Sequence, residues 1–518
     1  MLAMVGKGAH LGGALLVIAL AGTVQASDPL SAIEWLEKRP KQVVVPLVQA
    51  PRVIDEPPAA ITITTPEVTV TPLGAPVRAA AGLLPSSVTG LPRDLWSDSE
   101  AGGLGALLGA LDAERLPALQ SLLYTLLLAE ADPPYDTQSS DFLRARVKKL
   151  LDLGAVDPAS ALLDRADPAH LDLFDYYFDA ALLNGDAEAP CKALNRNPAL
   201  SRDLARRIFC DVRSENWDNA ALALSTADAI GALEPMDVAL LEHFLDPELF
   251  EASPVPPAPA RPSVLQFRLY EAIGEALPTA ALPRAFAATD LGGDAGWKAQ
   301  LDAAERLARI GAISENRLLG IYTSRIPSAS GGIWDRVEAV QRLETALASG
   351  DPAAALKQSA LAWDKMKEVG LEVPFATLFS EALLRLPASG ANDDMVTRIT
   401  LLSPLYEQAA QRETDDSLLK FAQGVAVGAP ETQSEQALAI AILRAFSGEA
   451  VPQFLSEMAT QGRLGEAILR AMSLTATGAA GDPSAAQSGL AFLRSVGLED
   501  TARRTALQML LLDFGDQR

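Results

Sequence analysis

The chain contains GAVDPASALL at residues 154–163, GDAEAPCKAL at residues 185–194 and ENWDNAALAL at residues 215–224. Each segment places a polar turn before small residues and then leucine, and the segments start 31 and 30 residues apart. Small residues let two helices approach closely, and leucine fills the space between them. One helical hairpin cannot bury its own apolar face, so hairpins repeated at this distance pack against one another. The three segments therefore predict an all-α fold made of helical hairpins.

Similar segments recur in the second half of the chain, at residues 350–356, 462–469 and 497–502. In this pattern the chain resembles tetratricopeptide repeats, whose period is about 34 residues. The resemblance implies that the hairpins stack as an α-solenoid. The whole chain also resembles secreted helical proteins of proteobacteria that have no assigned function, and this likeness implies no catalytic residue.

The composition supports a helical protein with a negatively charged surface. Apolar residues make up 49% of the 518 residues, whereas aromatic residues make up only 5%. The apolar share is carried mainly by alanine, leucine and valine, and the first two are strong helix formers. The formal net charge of −23 repels nucleic acid phosphates and anionic lipid head groups. We therefore expect no nucleic-acid partner, while basic proteins or divalent cations are compatible with this charge.

One C-terminal segment shows how the helices are expected to orient their side chains. Residues 297–310 place Leu301 and Leu307 on an apolar face that would point inward. Glu305 and Arg309 are four positions apart, and this spacing predicts an ion pair on the outer face.

Residues 1–26 are predicted to be a signal peptide. Lys7 gives a positive start, residues 11–21 are apolar, and Val24-Gln25-Ala26 forms a small-residue cleavage site. A helix of eleven residues rises about 16 Å, which is too short for a hydrocarbon core of roughly 30 Å. We therefore expect no membrane span and a periplasmic or secreted protein. The alternative is an uncleaved amphipathic anchor.

The rest of the chain divides into four predicted regions. Residues 27–92 are rich in proline and are expected to form an extended or disordered arm. Residues 93–250 and 263–518 are predicted as two helical repeat subdomains, and the proline-rich residues 251–262 as the linker between them. The alternative for the linker is a rigid loop that lies across one continuous solenoid.

Two short segments inside the arm have a second interpretation. Residues 61–64 and 68–71 alternate between apolar residues and threonine, as β-strands do. Two isolated strands of this length are not stable in water, so a disordered tether is the first interpretation. The alternative is that both segments dock on the sheet edge of a partner.

Cys191 and Cys210 are the two cysteines of the chain, 19 positions apart. In an oxidising compartment such a pair favours a disulfide bond. Asn195, Arg196 and Asn197 precede Pro198 between them and predict a turn, so the bond would hold a helical hairpin together. Cys191 is nearer to this turn than Cys210, so the two residues need not be level on antiparallel helices.

The sequence contains few residues for catalysis or metal binding. His10 belongs to the signal peptide, so His170 and His243 are the histidines expected in the mature chain. We find no zinc-ligand spacing, no Gly-x-Ser-x-Gly elbow and no phosphate-binding loop. We therefore predict no catalytic residue, no metal and no cofactor.

One loop could bind an anion. Ser328, Ser330, Gly331 and Gly332 precede a predicted helix that begins at Ile333. The free N–H groups and the positive dipole end of a helix attract carboxylates and phosphates. Glycine and serine also precede helices in ordinary capping, which is the simpler interpretation.

Together these features predict a non-enzymatic periplasmic protein that acts as a scaffold for protein partners. Helical hairpins offer a long surface for such partners and need no specialised residues. The alternative is an enzyme or accessory of peptidoglycan remodelling built on a helical superhelix. The anion-binding loop would represent a third class of function, a small-anion binding protein.

Overall fold

The computed structural model describes residues 78–136, 140–250, 253–292, 294–431, 436–448 and 451–512. The predicted signal peptide, the segments at 61–64 and 68–71, and the arm as far as residue 77 lie outside the described residues.

Within these ranges the chain forms 26 α-helices and no β-strand. The first thirteen are α1 Ser86–Thr89, α2 Ala101–Ala110, α3 Pro117–Leu128, α4 Asp141–Asp152, α5 Val156–Arg165, α6 Phe174–Leu183, α7 Glu188–Arg196, α8 Leu204–Arg213, α9 Trp217–Ala229, α10 Pro235–Leu245, α11 Pro247–Phe250, α12 Val264–Ala272 and α13 Arg284–Asp290. The others are α14 Trp297–Ala308, α15 Glu315–Thr323, α16 Ile333–Ser349, α17 Pro352–Lys367, α18 Glu372–Leu384, α19 Ala391–Leu401, α20 Tyr406–Ala409, α21 Ser417–Ala426, α22 Ala437–Ser447, α23 Gln453–Thr460, α24 Leu464–Ala479, α25 Pro483–Ser495 and α26 Glu499–Leu511. The prediction of an all-α protein is confirmed.

Aspartate followed by proline starts two of the longer helices. The Asp351 side chain accepts hydrogen bonds from the backbone N–H groups of Ala353 and Ala354, and Pro352 is the first residue of α17. Asp482 caps α25 in the same way, and Pro483 follows it. A carboxylate at the N-cap pairs with N–H groups that have no helical partner, and proline at the first position loses no helical hydrogen bond.

The first and last parts of this helical body contact each other. Helix α26 packs on α3, where the backbone N–H of Ala118 donates to Gln508 Oε1 at 2.9 Å. Helix α24 contacts α2, and the backbone N–H of Gly465 donates to the Leu95 carbonyl at 3.0 Å. In a solenoid each repeat contacts only its neighbours. The predicted solenoid arrangement is not confirmed, because these contacts join helices that are far apart in sequence.

Gly465 shows how closely the two ends approach. A Cβ atom at this position would lie 2.3 Å from Cζ3 of Trp96 and 2.8 Å from the Leu95 carbonyl oxygen. Neither a buried indole ring nor a backbone carbonyl can move away at low cost. Glycine is therefore required where α24 passes the Leu95–Trp96 segment.

Residues 78–92, which the sequence assigned to the arm, pack on this body. Ala81 and Leu91 are buried, and the N–H groups of Leu83 and Leu84 donate to the Leu128 carbonyl at the end of α3. The fully buried Arg146 donates from Nη1 to the Ala81 carbonyl at 2.9 Å. The disordered interpretation therefore does not apply to these fifteen residues.

The proline-rich segment after α11 also contacts the helices on both sides of it. The Tyr270 hydroxyl donates to the Pro256 carbonyl at 3.0 Å, and Val255 packs against the apolar cluster formed by α6 to α12. His243 Nε2 lies 3.2 Å from the Ser253 carbonyl oxygen. The division into two helical subdomains at residues 251–262 stays a prediction.

Candidate functional site

The disulfide bond is present in the structure. Cys191 on α7 and Cys210 on α8 are joined, with a Cα–Cα distance of 5.0 Å. Both residues are buried beside Phe209 and Leu194 in the apolar cluster of this region. The predicted pairing is confirmed, and the bond ties α7 to the helix that packs against α9.

One side of helix α9 is buried, whereas large apolar residues of this helix and of the position directly after it are exposed. Ala220 and Leu224 face the cluster around the disulfide. Trp217 is 50% exposed, Leu222 is 66% exposed, and Ile230, directly after the helix, is 72% exposed. Single exposed apolar residues are common on soluble proteins, but two on α9 and a third directly after it make this helix and its C-terminal turn a candidate interaction surface.

The charged residues around these three side chains are mostly acidic. Glu215, Asp218, Asp228 and Glu234 lie on α9 or in the turns beside it, and none forms an ion pair with another described residue. We define the α9 surface as the apolar residues Trp217, Leu222 and Ile230 together with these four acids. It joins exposed hydrophobic area to uncompensated negative charge.

A cavity of about 590 Å³ lies between the N-terminal end of α5, helix α12, the C-terminal end of α13 and the residues around α14. We refer to it as the α12–α13 cavity. Apolar side chains form part of its lining, among them Phe267, Leu291, Leu307 and Ile313. Its polar lining includes four acids and two arginines, Asp157, Glu271, Asp290, Asp294, Arg268 and Arg317.

Gly154, the first residue of the opening sequence segment, supports one wall of this cavity. Its φ angle of +77° is one that residues with a side chain rarely adopt. A Cβ atom there would also lie 2.6 Å from Cδ2 of Leu307. The repeated glycine of the sequence pattern thus brings the turn before α5 against α14.

The two arginines of the cavity already have partners. Arg268 Nε donates to the Leu182 carbonyl at 2.8 Å, and Arg268 Nη1 pairs with Glu271 at 2.5 Å. Arg317 Nη1 lies 3.4 Å from Asp157 Oδ2. By contrast, Asp290 accepts a hydrogen bond from the Thr279 hydroxyl and forms no ion pair with a described residue.

The pKa of the Asp290 carboxyl is shifted mainly by burial. Burial raises the pKa of the Asp290 carboxyl, and the nearby charges of Asp302 and Glu271 raise it further. The hydrogen bond from Thr279 opposes both effects. Asp290 thus lies among other carboxylates and has no cationic partner among the described residues.

A second, smaller cavity of about 320 Å³ lies where α3, α18 and α26 approach one another. Gln120 and Tyr124 line it, and Gln120 is buried. Neither amide atom of Gln120 has a hydrogen-bond partner of good geometry among the described residues. Both amide atoms are also shielded from solvent, so this cavity is a weaker candidate for ligand binding.

The predicted anion-binding loop lies at the start of α16. Ser328, Ser330, Gly331 and Gly332 are exposed there. The Gly331 N–H donates to Oδ1 of Asp335 at 2.7 Å, so a carboxylate of the same helix already occupies one of the expected donors. This contact belongs to helix capping.

Glu305, one of the most buried acids among the described residues, has a structural partner. Glu305 accepts two hydrogen bonds from Arg336, at 2.7 Å and 2.6 Å, and both side chains are 7% exposed. The Tyr322 hydroxyl donates to the same carboxylate at 2.6 Å. The predicted outward pair of Glu305 with Arg309 is therefore wrong, because the carboxylate lies on the buried side of α14 and holds α15 and α16.

The two histidines are not brought together. His170 lies beside Asp172, with 3.6 Å between Nδ1 and Oδ2, whereas His243 lies in α10 between the carbonyls of Ala239 and Ser253. In the part of the chain that the structure describes, no three His, Cys, Asp or Glu side chains converge as a metal site would require. None of the described helices has both the length and the hydrophobicity for crossing a bilayer.

Comparison with known proteins adds no assignment. No protein-family model, no curated protein and no solved structure matches this chain. Its function must therefore be argued from its own surface and cavities.

Proposed function

We propose that this chain is exported to the periplasm and acts there as a non-enzymatic helical scaffold that binds a protein partner. The partner would use an apolar patch bordered by lysine or arginine side chains. Residues 1–26 would direct export and be removed after Ala26, so the mature chain would begin at Ser27.

The observation that carries the proposal is the α9 surface. Tryptophan is enriched among the few residues that supply most of the energy at protein interfaces, and Leu222 and Ile230 add apolar area beside Trp217 in the sequence. The four acids around them attract a basic partner over several ångströms and repel an acidic one. The disulfide bond between α7 and α8 gives the helices under this surface a fixed arrangement.

The test is affinity capture from periplasmic extract with two matched variants. The first variant replaces Trp217, Leu222 and Ile230 with serine. The control variant replaces Ile326 and Phe454 with serine; both are at least half exposed and lie outside the α9 surface. A specific partner should be retained by the parent chain and by the control variant, and lost by the first variant.

Salt dependence provides the second readout. Binding to the α9 surface should weaken as the salt concentration rises from about 0.05 M to about 0.5 M, since ions screen exposed charges. A partner that both variants retain equally would place the interaction elsewhere. Intact mass of the exported chain tests localisation, and a mass that still includes residues 1–26 would contradict cleavage after Ala26.

A further inference from the structure

We propose that the α12–α13 cavity binds an organic cation, a primary ammonium or guanidinium group carried on a short apolar body. This site is separate from the α9 surface and does not depend on the proposed scaffold function. Three features of the cavity support the proposal: its size, its apolar lining, and the sign of its uncompensated charge.

The volume of about 590 Å³ fits a small organic ligand. Binding sites for such ligands have volumes of about 300–1,000 Å³ and combine apolar walls with a few polar groups. Phe267 from α12, Leu307 from α14 and Ile313 from the following turn provide apolar lining from three parts of the chain. A ligand with a hydrocarbon or aromatic body would contact these side chains.

The charged side chains that line the cavity favour a cationic ligand over an anionic one. Arg268 is held by the carbonyls of Leu182 and Leu183 and by Glu271, so its guanidinium has little capacity left for an anion. Arg317 faces Asp157. Asp290 and Asp294 add two further acids for which the described residues provide no ion pair.

The position of Asp290 makes it the strongest candidate for contact with the cationic group. It is the last residue of α13, it lines the cavity, and one of its carboxylate oxygens accepts the Thr279 hydroxyl. Each carboxylate oxygen has two lone pairs, so the carboxylate can accept further hydrogen bonds from an ammonium group. Charge-assisted hydrogen bonds of this kind are stronger than neutral ones.

A metal ion fits the cavity less well than an organic cation. Calcium prefers six or more oxygen ligands, and the described acids do not converge in groups of three. An ammonium or guanidinium group needs only one or two carboxylates, and its apolar body uses the remaining wall. The lining thus matches a ligand that combines a cationic group with an apolar body.

Calorimetric titration of the full chain with phenethylamine tests this inference. Its neutral analogue 2-phenylethanol and its anionic analogue 3-phenylpropanoate are the matched ligands, since both keep the aromatic body. We expect phenethylamine to bind with a Kd of about 1 mM or tighter and both analogues to bind at least about tenfold more weakly.

Variants locate the binding. Asp290→Asn should weaken phenethylamine binding about tenfold, and Glu271→Gln should weaken it to a smaller extent, because it removes a charge and not a direct contact. Asp228→Asn on the α9 surface is the control and should leave the Kd unchanged. If Asp290→Asn lowers the melting temperature, Glu271→Gln on the exposed side of α12 still tests the site.

Two results would overturn the inference. One is binding of phenethylamine no tighter than that of 2-phenylethanol, which would remove the role of the charge. The other is a Kd that neither Asp290→Asn nor Glu271→Gln changes, which would place the binding outside this cavity.

Discussion

Arg146 offers the sharpest test of how the N-terminal residues are held to the helical body. It is 1% exposed and its guanidinium has no carboxylate partner among the described residues. Instead it donates to the carbonyls of Leu127, Ala81 and Ala129, at 2.8, 2.9 and 3.0 Å. Arg146→Met keeps the aliphatic volume of the side chain and removes all three donors.

The expected loss of stability is the difference between two opposing free energies. A buried carbonyl that loses its donor costs about 1–3 kcal/mol, so three of them cost roughly 6 kcal/mol. Against this, burial lowers the pKa of Arg146 from its usual range to about 10, which corresponds to roughly 3 kcal/mol for holding the charge away from water. We therefore expect Arg146→Met to lower the free energy of unfolding by about 3 kcal/mol.

Urea unfolding followed by circular dichroism measures this loss, with Arg144→Met as the control. Arg144 is on the same helix but is partly exposed and pairs with Asp141, so its replacement should cost less than about 0.5 kcal/mol. Trypsin cleavage after Arg93 should become faster in Arg146→Met only, since the segment around Ala81 would be released. Equal unfolding midpoints for the two variants would refute the reasoning.

Three further predictions test other contacts. Gly465→Ala should destabilise the chain by about 1–3 kcal/mol because its methyl group would overlap the Trp96 ring, whereas Gly103→Ala, in open space on α2, should stabilise it by about 0.5–1 kcal/mol in thermal unfolding. Arg336→Met should cost about 3–5 kcal/mol in urea unfolding because it leaves Glu305 buried without its charge partner, and a cost below about 1 kcal/mol would show that water reaches the carboxylate. Burial raises the pKa of the Asp179 carboxyl from 3.8 to about 6 despite its contact with Arg206. The folded state therefore binds the carboxyl proton more tightly than the unfolded state, and the protein loses stability as pH rises through 6. Asp179→Asn should therefore melt at a higher temperature than the parent chain at pH 7.5, and the difference should shrink as pH falls from about 6 to about 4; a difference that does not depend on pH would contradict this.

Local features of the fold could be predicted from the sequence. Helical segments and their turns follow from residue spacing and capping groups within a few positions, as at Asp351 and Pro352. The disulfide was predictable because two cysteines allow one pairing. The contact of α26 with α3 was not predictable, because a helical period shows that a face is buried but not which helix covers it.

Arg146 and Glu305 are buried charged residues whose burial is indicated by their positions in the sequence, in register with apolar residues. Arg146 lies three and four positions from Leu143 and Phe142, on the same side of α4 as Val147 and Leu150. Glu305 likewise lies four positions after Leu301, on the inner face of α14. A charged residue in register with an apolar stripe is either buried with a partner or breaks the stripe. In both helices the charged residue is buried with a partner.

The candidate sites depend on information that no single segment carries. The turn before α5, the turn after α6 and the end of α13 are separate in sequence, and their contribution to one cavity appears only when the helices are placed in space. The α9 surface is different in one part, because Leu222 lies two positions from both Ala220 and Leu224 and so falls outside the period that forms the buried stripe. Trp217 continues that period and is exposed at the first turn of the helix. Apolar residues off the buried period of a helix must face solvent or a partner. That rule makes Leu222 the part of the α9 surface that the sequence itself could have indicated.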